Sequence, residues 1–191
     1  MEDADFYFKK VENLDKNLIK NLTTGKPSFV ENSWQYEIPK FNRIIMVYIN
    51  SFGEVQINLP DLFNDEFMKE IAKLIKKVYS VLKVSGYGID EYDGDGDEYE
   101  MYPLGTKREQ MSRIWSVNLF TQSEVQKYGR GKLLKAPCEL IEEWEDDAIF
   151  MMIHKDRFSS KLEERQKLRK YLGEDNLPSN FQGKYLNGVY Q

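Results

Sequence analysis

Cysteine and histidine each occur once in the 191 residues, as Cys138 and His154. A lone cysteine excludes an internal disulfide framework, and one histidine without a cysteine cluster lacks the ligand set of the common zinc sites. Basic residues are in deficit: 27 Lys and Arg stand against 32 Asp and Glu, for a net charge of -5. That balance disfavours general binding to nucleic acid or to an anionic membrane, because phosphate attraction needs a basic surface. No apolar run approaches the ~18 residues that span a bilayer. The N-terminal MEDADFYFKK has neither the basic nor the apolar region of a signal peptide. Glycines form no nucleotide-binding pattern: YGRGK lacks the Ser or Thr that completes a phosphate loop, and GYGIDEYDG lacks dinucleotide-binding spacing, so both read as turns. These absences predict a cytoplasmic protein with no cofactor and no bound metal.

What is present suffices for a core, with 41% hydrophobic and 14% aromatic residues. In FYFKKVENLDKNLIKNLTTG, Phe8, Val11, Leu14, Leu18 and Leu22 recur at roughly helical spacing, which predicts an N-terminal helix stopping at Gly25. SFVENSWQYEI, RIIMVYIN and VQINL read as strands, the last two joined by the turn NSFGE as a hairpin. NDEFMKEIAKLIKKVYSVLK carries Phe67, Ile71, Leu74, Ile75, Val78 and Leu82 on one helical face, with Asn64 as cap and Asp65 and Glu66 in the first turn. RIWSVNLF reads as a strand, and TQSEVQKYG as a short helix with a Thr121–Glu124 capping box and a stop at Gly129. CELIEEW and AIFMMIH predict a second hairpin, turning near Glu145, Asp146 and Asp147. SKLEERQKLRKYLG predicts a closing helix, with Ser160 and Glu163 as its capping box and Leu162, Leu168, Tyr171 and Leu172 as a narrow apolar stripe.

These elements predict a single α+β domain over residues 1–191, with a mainly antiparallel sheet of hairpins covered by amphipathic helices. Two strands followed by a helix occur in each half, which suggests two similar halves. Residues 174–191, with Phe181, Tyr185, Leu186 and Tyr190 among glycine, proline and asparagine, read as an extended tail.

Charge is the most distinctive feature. The stretch DEYDGDGDEYE, Asp90 to Glu100, holds seven carboxylates in eleven residues. It fits no EF-hand register: with Gly96 at the glycine position, Tyr102 falls where a bidentate glutamate is required, and a loop starting at Asp93 places Glu98 and Leu104 wrongly. Mutual repulsion makes a solvated loop one reading. The other is a surface for a basic partner, in which Asp90, Asp93, Asp95, Asp97 and Glu98 supply charge and Tyr92 and Tyr99 supply contact area. Glu142, Glu143, Glu145 and Asp146 on the second hairpin extend the same candidate surface. Cys138 reads as a core residue, and a Cys138–His154 approach would follow from strand pairing alone.

The segment RIWSVNLFTQSEVQKYGRGKLLKAPCELIEEWEDDAIFMMIHKD, with the helix RQKLRKYLG, resembles the distal half of bacterial immunity proteins of the type VI and polymorphic-toxin kind, in particular the immunity protein 52 type. The resemblance rests on a Trp-bearing strand, a short helix ending at Gly129, the LLKAP segment, an acidic hairpin and a closing helix, from Arg113 to Gly173. It implies a non-enzymatic antitoxin that binds and occludes a cognate protein toxin, with a nuclease as a natural target because its cleft must attract phosphates. A carboxylate-based metal- or small-ligand-binding protein or enzyme, and a structural or adaptor protein of a phage or mobile element, are the alternatives. The oligomeric state is not specified by the sequence.

Overall fold

The structure is a computed structural model that describes residues 4–22, 32–50, 53–59, 64–90, 114–158 and 160–174. The residues of the acidic stretch beyond Asp90 and the tail segment 175–191 lie outside them. The described elements are α+β, as the sequence predicts: eight strands in one antiparallel sheet and five helices. In chain order they are β1 (Ala4–Phe8), α1 (Lys16–Leu22), β2 (Ser33–Ile38), β3 (Arg43–Ile49), β4 (Val55–Leu59), α2 (Asp65–Leu82) and β5 (Gly86–Asp90). Then follow β6 (Val117–Phe120), α3 (Gln122–Tyr128), α4 (Arg130–Leu133), β7 (Leu140–Glu143), β8 (Ile149–Met152) and α5 (Leu162–Leu172).

The sheet order is β2-β3-β4-β1-β5-β6-β8-β7. Its two halves each hold four strands, but from the centre outward one runs β1, β4, β3, β2 and the other β5, β6, β8, β7. They therefore share a strand count and a closing helix without sharing a path.

Three expectations are corrected. The N-terminal helix is only Lys16–Leu22, because Ala4–Phe8 is a strand at the middle of the sheet, between β4 and β5. Phe6 and Phe8 point into the core while Tyr7 between them faces the other way, the period-two pattern of a strand, which a run this short does not display clearly enough in sequence to exclude a helix. Within α1 the buried residue is Ile19, and Leu18 is exposed. The second correction concerns GYGID, which is β5 rather than a turn. A Cβ on Gly86 would lie 2.6 Å from Phe6 Cε1, and one on Gly88 would lie 2.2 Å from Phe158 Cε1. Glycine is thus present to admit two aromatic rings. Third, α5 starts one residue later than predicted: Lys161 N donates to Glu164 Oε2 at 2.9 Å, while Ser160 Oγ meets Ser116 Oγ at 2.5 Å.

Helix α2 follows its sequence closely. Asn64 Oδ1 accepts from Phe67 N at 2.9 Å, and the predicted apolar face is buried. This helix covers one face of the sheet over a core running from Phe6, Ile57 and Val47 to Val117, Phe150 and Trp144. On the opposite face, α3, α4 and α5 cover β6, β8 and, at Ile141, β7, around Phe120, Met151, Ile153, Leu133 and Leu168. Strand β8 belongs to both cores, Phe150 and Met152 to the first and Ile149 and Met151 to the second. That double burial explains its continuous apolar sequence.

Candidate functional site

The second hairpin, β7–β8, turns through a 3-10 segment, Glu145–Asp147, in which Asp146 and Asp147 take left-handed φ of 57° and 58°. Its strands pair from Leu140↔Met152 to Glu143↔Ile149. Trp144 anchors it: the ring stacks on Phe150 with centroids 4.6 Å apart and 12° between planes, and the side chain is buried. The indole Nε1 donates to Glu142 Oε2 at 2.7 Å.

The predicted hairpin carboxylates are therefore in place, yet each has a partner within the fold. Besides Glu142, Glu143 is bound by Arg130, whose Nε lies 3.1 Å from Oε2. Lys83 Nζ reaches both Glu145, at 3.2 Å, and Asp146, at 2.5 Å. Hydrogen bonding to Asp146 raises the Lys83 ammonium pKa, and Arg130 is raised by Glu143 in the same way. Lys83 follows α2 in a left-handed conformation, φ 53°, with its N–H on Tyr79 O. The acidic turn is thus tied to the end of the longest helix.

Register sets Asp90, the first residue of the other acidic stretch, at the opposite end of the strands from this turn. Asp90 ends β5 opposite Ala4, two residues beyond Gly88, which is level with Val117, Met152 and Leu140. The Glu145–Asp147 turn is at the other end of the strands, on the order of 23 Å from Asp90 along the strand direction at ~3.3 Å per residue. Of the predicted partner-binding residues, the hairpin set and the backbone of Asp90 are described, while Tyr92, Asp93, Asp95, Asp97, Glu98 and Tyr99 lie outside the described residues.

The end of the sheet that carries Asp90 also carries a cluster that the sequence reading missed. Glu139 N donates to Ile153 O at 3.1 Å, which brings Glu139 beside His154. His154 Nδ1 lies 3.5 Å from Glu139 Oε1, and Nε2 lies 2.9 Å from Glu164 Oε2 and 3.0 Å from Arg157 Nη2. Asp156 completes a group with Glu139 and His154 in which one donor atom from each lies within 4.8 Å of the others. The hairpin register, which sets Glu139 opposite the residues preceding His154, was the available signal; the approach of Glu164 required knowing where α5 packs.

Cys138 is half-buried at the margin of the second core, and burial pushes its thiol up to about 12, so it is protonated at neutral pH. A further polar node joins the halves: Glu124, at the start of α3, accepts from Lys9, from Ser85 Oγ at 2.9 Å and from Thr121 Oγ1 at 2.8 Å. Burial opposes its ionisation, but the hydrogen bonds from Lys9, Thr121 and Ser85 hold its carboxyl down at about 2. No described helix is long and apolar enough to cross a membrane.

Fold and site together define an α+β protein whose helices cover one face of the sheet along its length and the other face over one half. The chain matches no protein-family model, no curated protein and no solved structure.

Proposed function

We propose that the protein is an immunity protein that neutralises a bacterial protein toxin by binding it directly. The observation that carries this reading is the root of the seven-carboxylate stretch. Asp90 ends β5, a strand paired with β1 along its length and with β6 over Gly86–Gly88, so the first residue of the charged stretch belongs to the sheet. Negative charge rooted there raises the encounter rate with a basic cleft and orients the approach. In this mechanism Asp93, Asp95, Asp97 and Glu98 enter the cleft, while Tyr92 and Tyr99 exclude water around them. A nuclease fits the requirement, since its cleft must hold phosphates.

The hairpin carboxylates Glu142, Glu143, Glu145 and Asp146 are secondary in this reading. Lys83 and Arg130 compete for three of them, although exposed pairs of this kind are worth only about 0–1 kcal/mol and exchange readily. The protein acts as a binder in the cytoplasm, without catalysis or cofactor, and contacts neither nucleic acid nor membrane. Affinity capture from the source cells at low and moderate salt tests this. One basic, toxin-like protein is retained at low salt and released as salt rises, and its toxicity is suppressed by co-expression of this chain. Capture of no such protein by well-folded bait, or a captured toxin that stays active when bound, overturns the proposal.

A further inference from the structure

We propose that Glu139, His154 and Asp156 form a binding site for a divalent cation of the zinc class. The 3.5 Å between His154 Nδ1 and Glu139 Oε1 is long for a hydrogen bond, which for N–H···O spans about 2.7–3.2 Å. It matches the separation of two donors on one tetrahedral ion, about 3.4 Å for bonds of ~2.1 Å. Asp156 supplies the third donor atom within the same 4.8 Å.

The imidazole is prepared from behind. Its side chain is only 12% exposed, and Nε2 faces Glu164 Oε2 at 2.9 Å. Glu164 is fixed in turn by Lys161 N at the start of α5. With Nε2–H donated to Glu164, the Nδ1 lone pair is left for an ion shared with Glu139 Oε1. This is the carboxylate–histidine–metal arrangement that orients a ligating ring.

Arg157 Nη2, 3.0 Å from Nε2, favours the other tautomer, in which Nδ1–H points to Glu139 across the long contact. Metal binding therefore selects a tautomer against Arg157, and the positive charges of Arg157 and Lys155 moderate the affinity. Lys155 N already donates to Glu139 Oε2 at 3.2 Å, leaving Oε1 for the ion. One imidazole with two carboxylates suits zinc, manganese or cobalt better than calcium or magnesium, which favour all-oxygen sets. The bound ion cross-links the start of β7 to the end of β8 and, through Glu164, to the start of α5. This proposal is independent of toxin binding.

The test is titration of full-length, chelator-stripped protein with Zn²⁺ by calorimetry and with Co²⁺ by visible absorption. The expected result is saturable binding with a Co²⁺ spectrum typical of nitrogen–oxygen coordination. Asp156→Asn, at an exposed position that leaves folding intact, weakens binding by about 10-fold or more, and Glu164→Gln by about 10–100-fold. His154→Gln removes the Co²⁺ signature, whereas Glu145→Gln with Asp146→Asn leaves binding unchanged. Dissociation constants for both metals above about 1 mM, which would add negligible stability at cellular levels, overturn the proposal. So does an Asp156→Asn protein that binds like the wild type.

Discussion

The half of the sheet formed by β5, β6, β8 and β7 and the half formed by β1 to β4 bury their second faces differently. In β8, Met151 and Ile149 are fully or almost fully buried under α3, α4 and α5. In the other half the corresponding face carries Asp5, Tyr7, Gln56 and Asn58, opposite one another in the β1–β4 register. Tyr7 OH donates to Asp5 Oδ2 at 3.0 Å, Asn58 Nδ2 to Asp5 Oδ1 at 3.1 Å and Gln56 Nε2 to Tyr7 Oη at 3.1 Å. One half is thus organised by apolar burial on both faces, the other by burial on one and hydrogen bonding on the other. Apolar burial tolerates no loss of volume, whereas a hydrogen-bonded face depends on each donor keeping its acceptor.

The largest effect that sharpens this contrast is expected in the doubly buried half. Met151→Ala removes a fully buried side chain and should cost about 2–5 kcal/mol, read as a lower urea midpoint with an unchanged denaturant slope. Gly88→Ala, at the junction of the halves, forces a methyl against Phe158 and should cost about 1–3 kcal/mol; a destabilisation much smaller than this would mean that the ring moves aside freely. Asp5→Ala strips the acceptor from Tyr7 and Asn58, for about 1–3 kcal/mol, while Asp5→Asn, which retains one acceptor oxygen, should cost less by the same measurement.

The effect that is read through pH, not at a single pH, belongs to the node that bridges the halves. Because the Glu124 carboxyl titrates at about 2 in the fold against 4.5 for an unperturbed group, it favours ionisation in the folded state. Its contribution is complete above about 4.5 and is lost as pH falls toward about 2. Glu124→Gln should therefore flatten the acid limb of the stability profile in that window, measured by urea unfolding at successive pH values. An unchanged limb would mean that Lys9 does not engage Glu124 in solution.

Much of the fold is legible in the sequence where local and tertiary signals agree. Helix α2 combines a cap, charged first-turn residues and a continuous apolar face, and both hairpins were visible from their turns. Strand β1 was not, since Phe8 also fits the spacing of Val11 and Leu14, and only pairing with β4 and β5 decides between the two periods. Strand β5 was hidden by glycines whose purpose is to admit Phe6 and Phe158, residues far from it in sequence. The buried Arg165 and Arg169 in α5 were equally unforeseen: Arg169 donates to Ile114 O at 3.0 Å through Nε and at 2.8 Å through Nη2, and burial lowers its pKa to about 10. The hairpin carboxylates were found as residues but not as ion-paired groups, because Lys83 and Arg130 reach them from other elements.

The most direct test of the functional account is quantitative toxin capture by three full-length baits side by side: the wild type, a variant with Asp93, Asp95 and Asp97 changed to Asn and Glu98 to Gln, and one with Glu142, Glu143 and Glu145 changed to Gln and Asp146 to Asn. The account predicts that neutralising the first set weakens binding at least about 10-fold and reduces its salt dependence, while neutralising the second set has a much smaller effect. Equal binding by the first variant and the wild type, at every salt concentration, would contradict it.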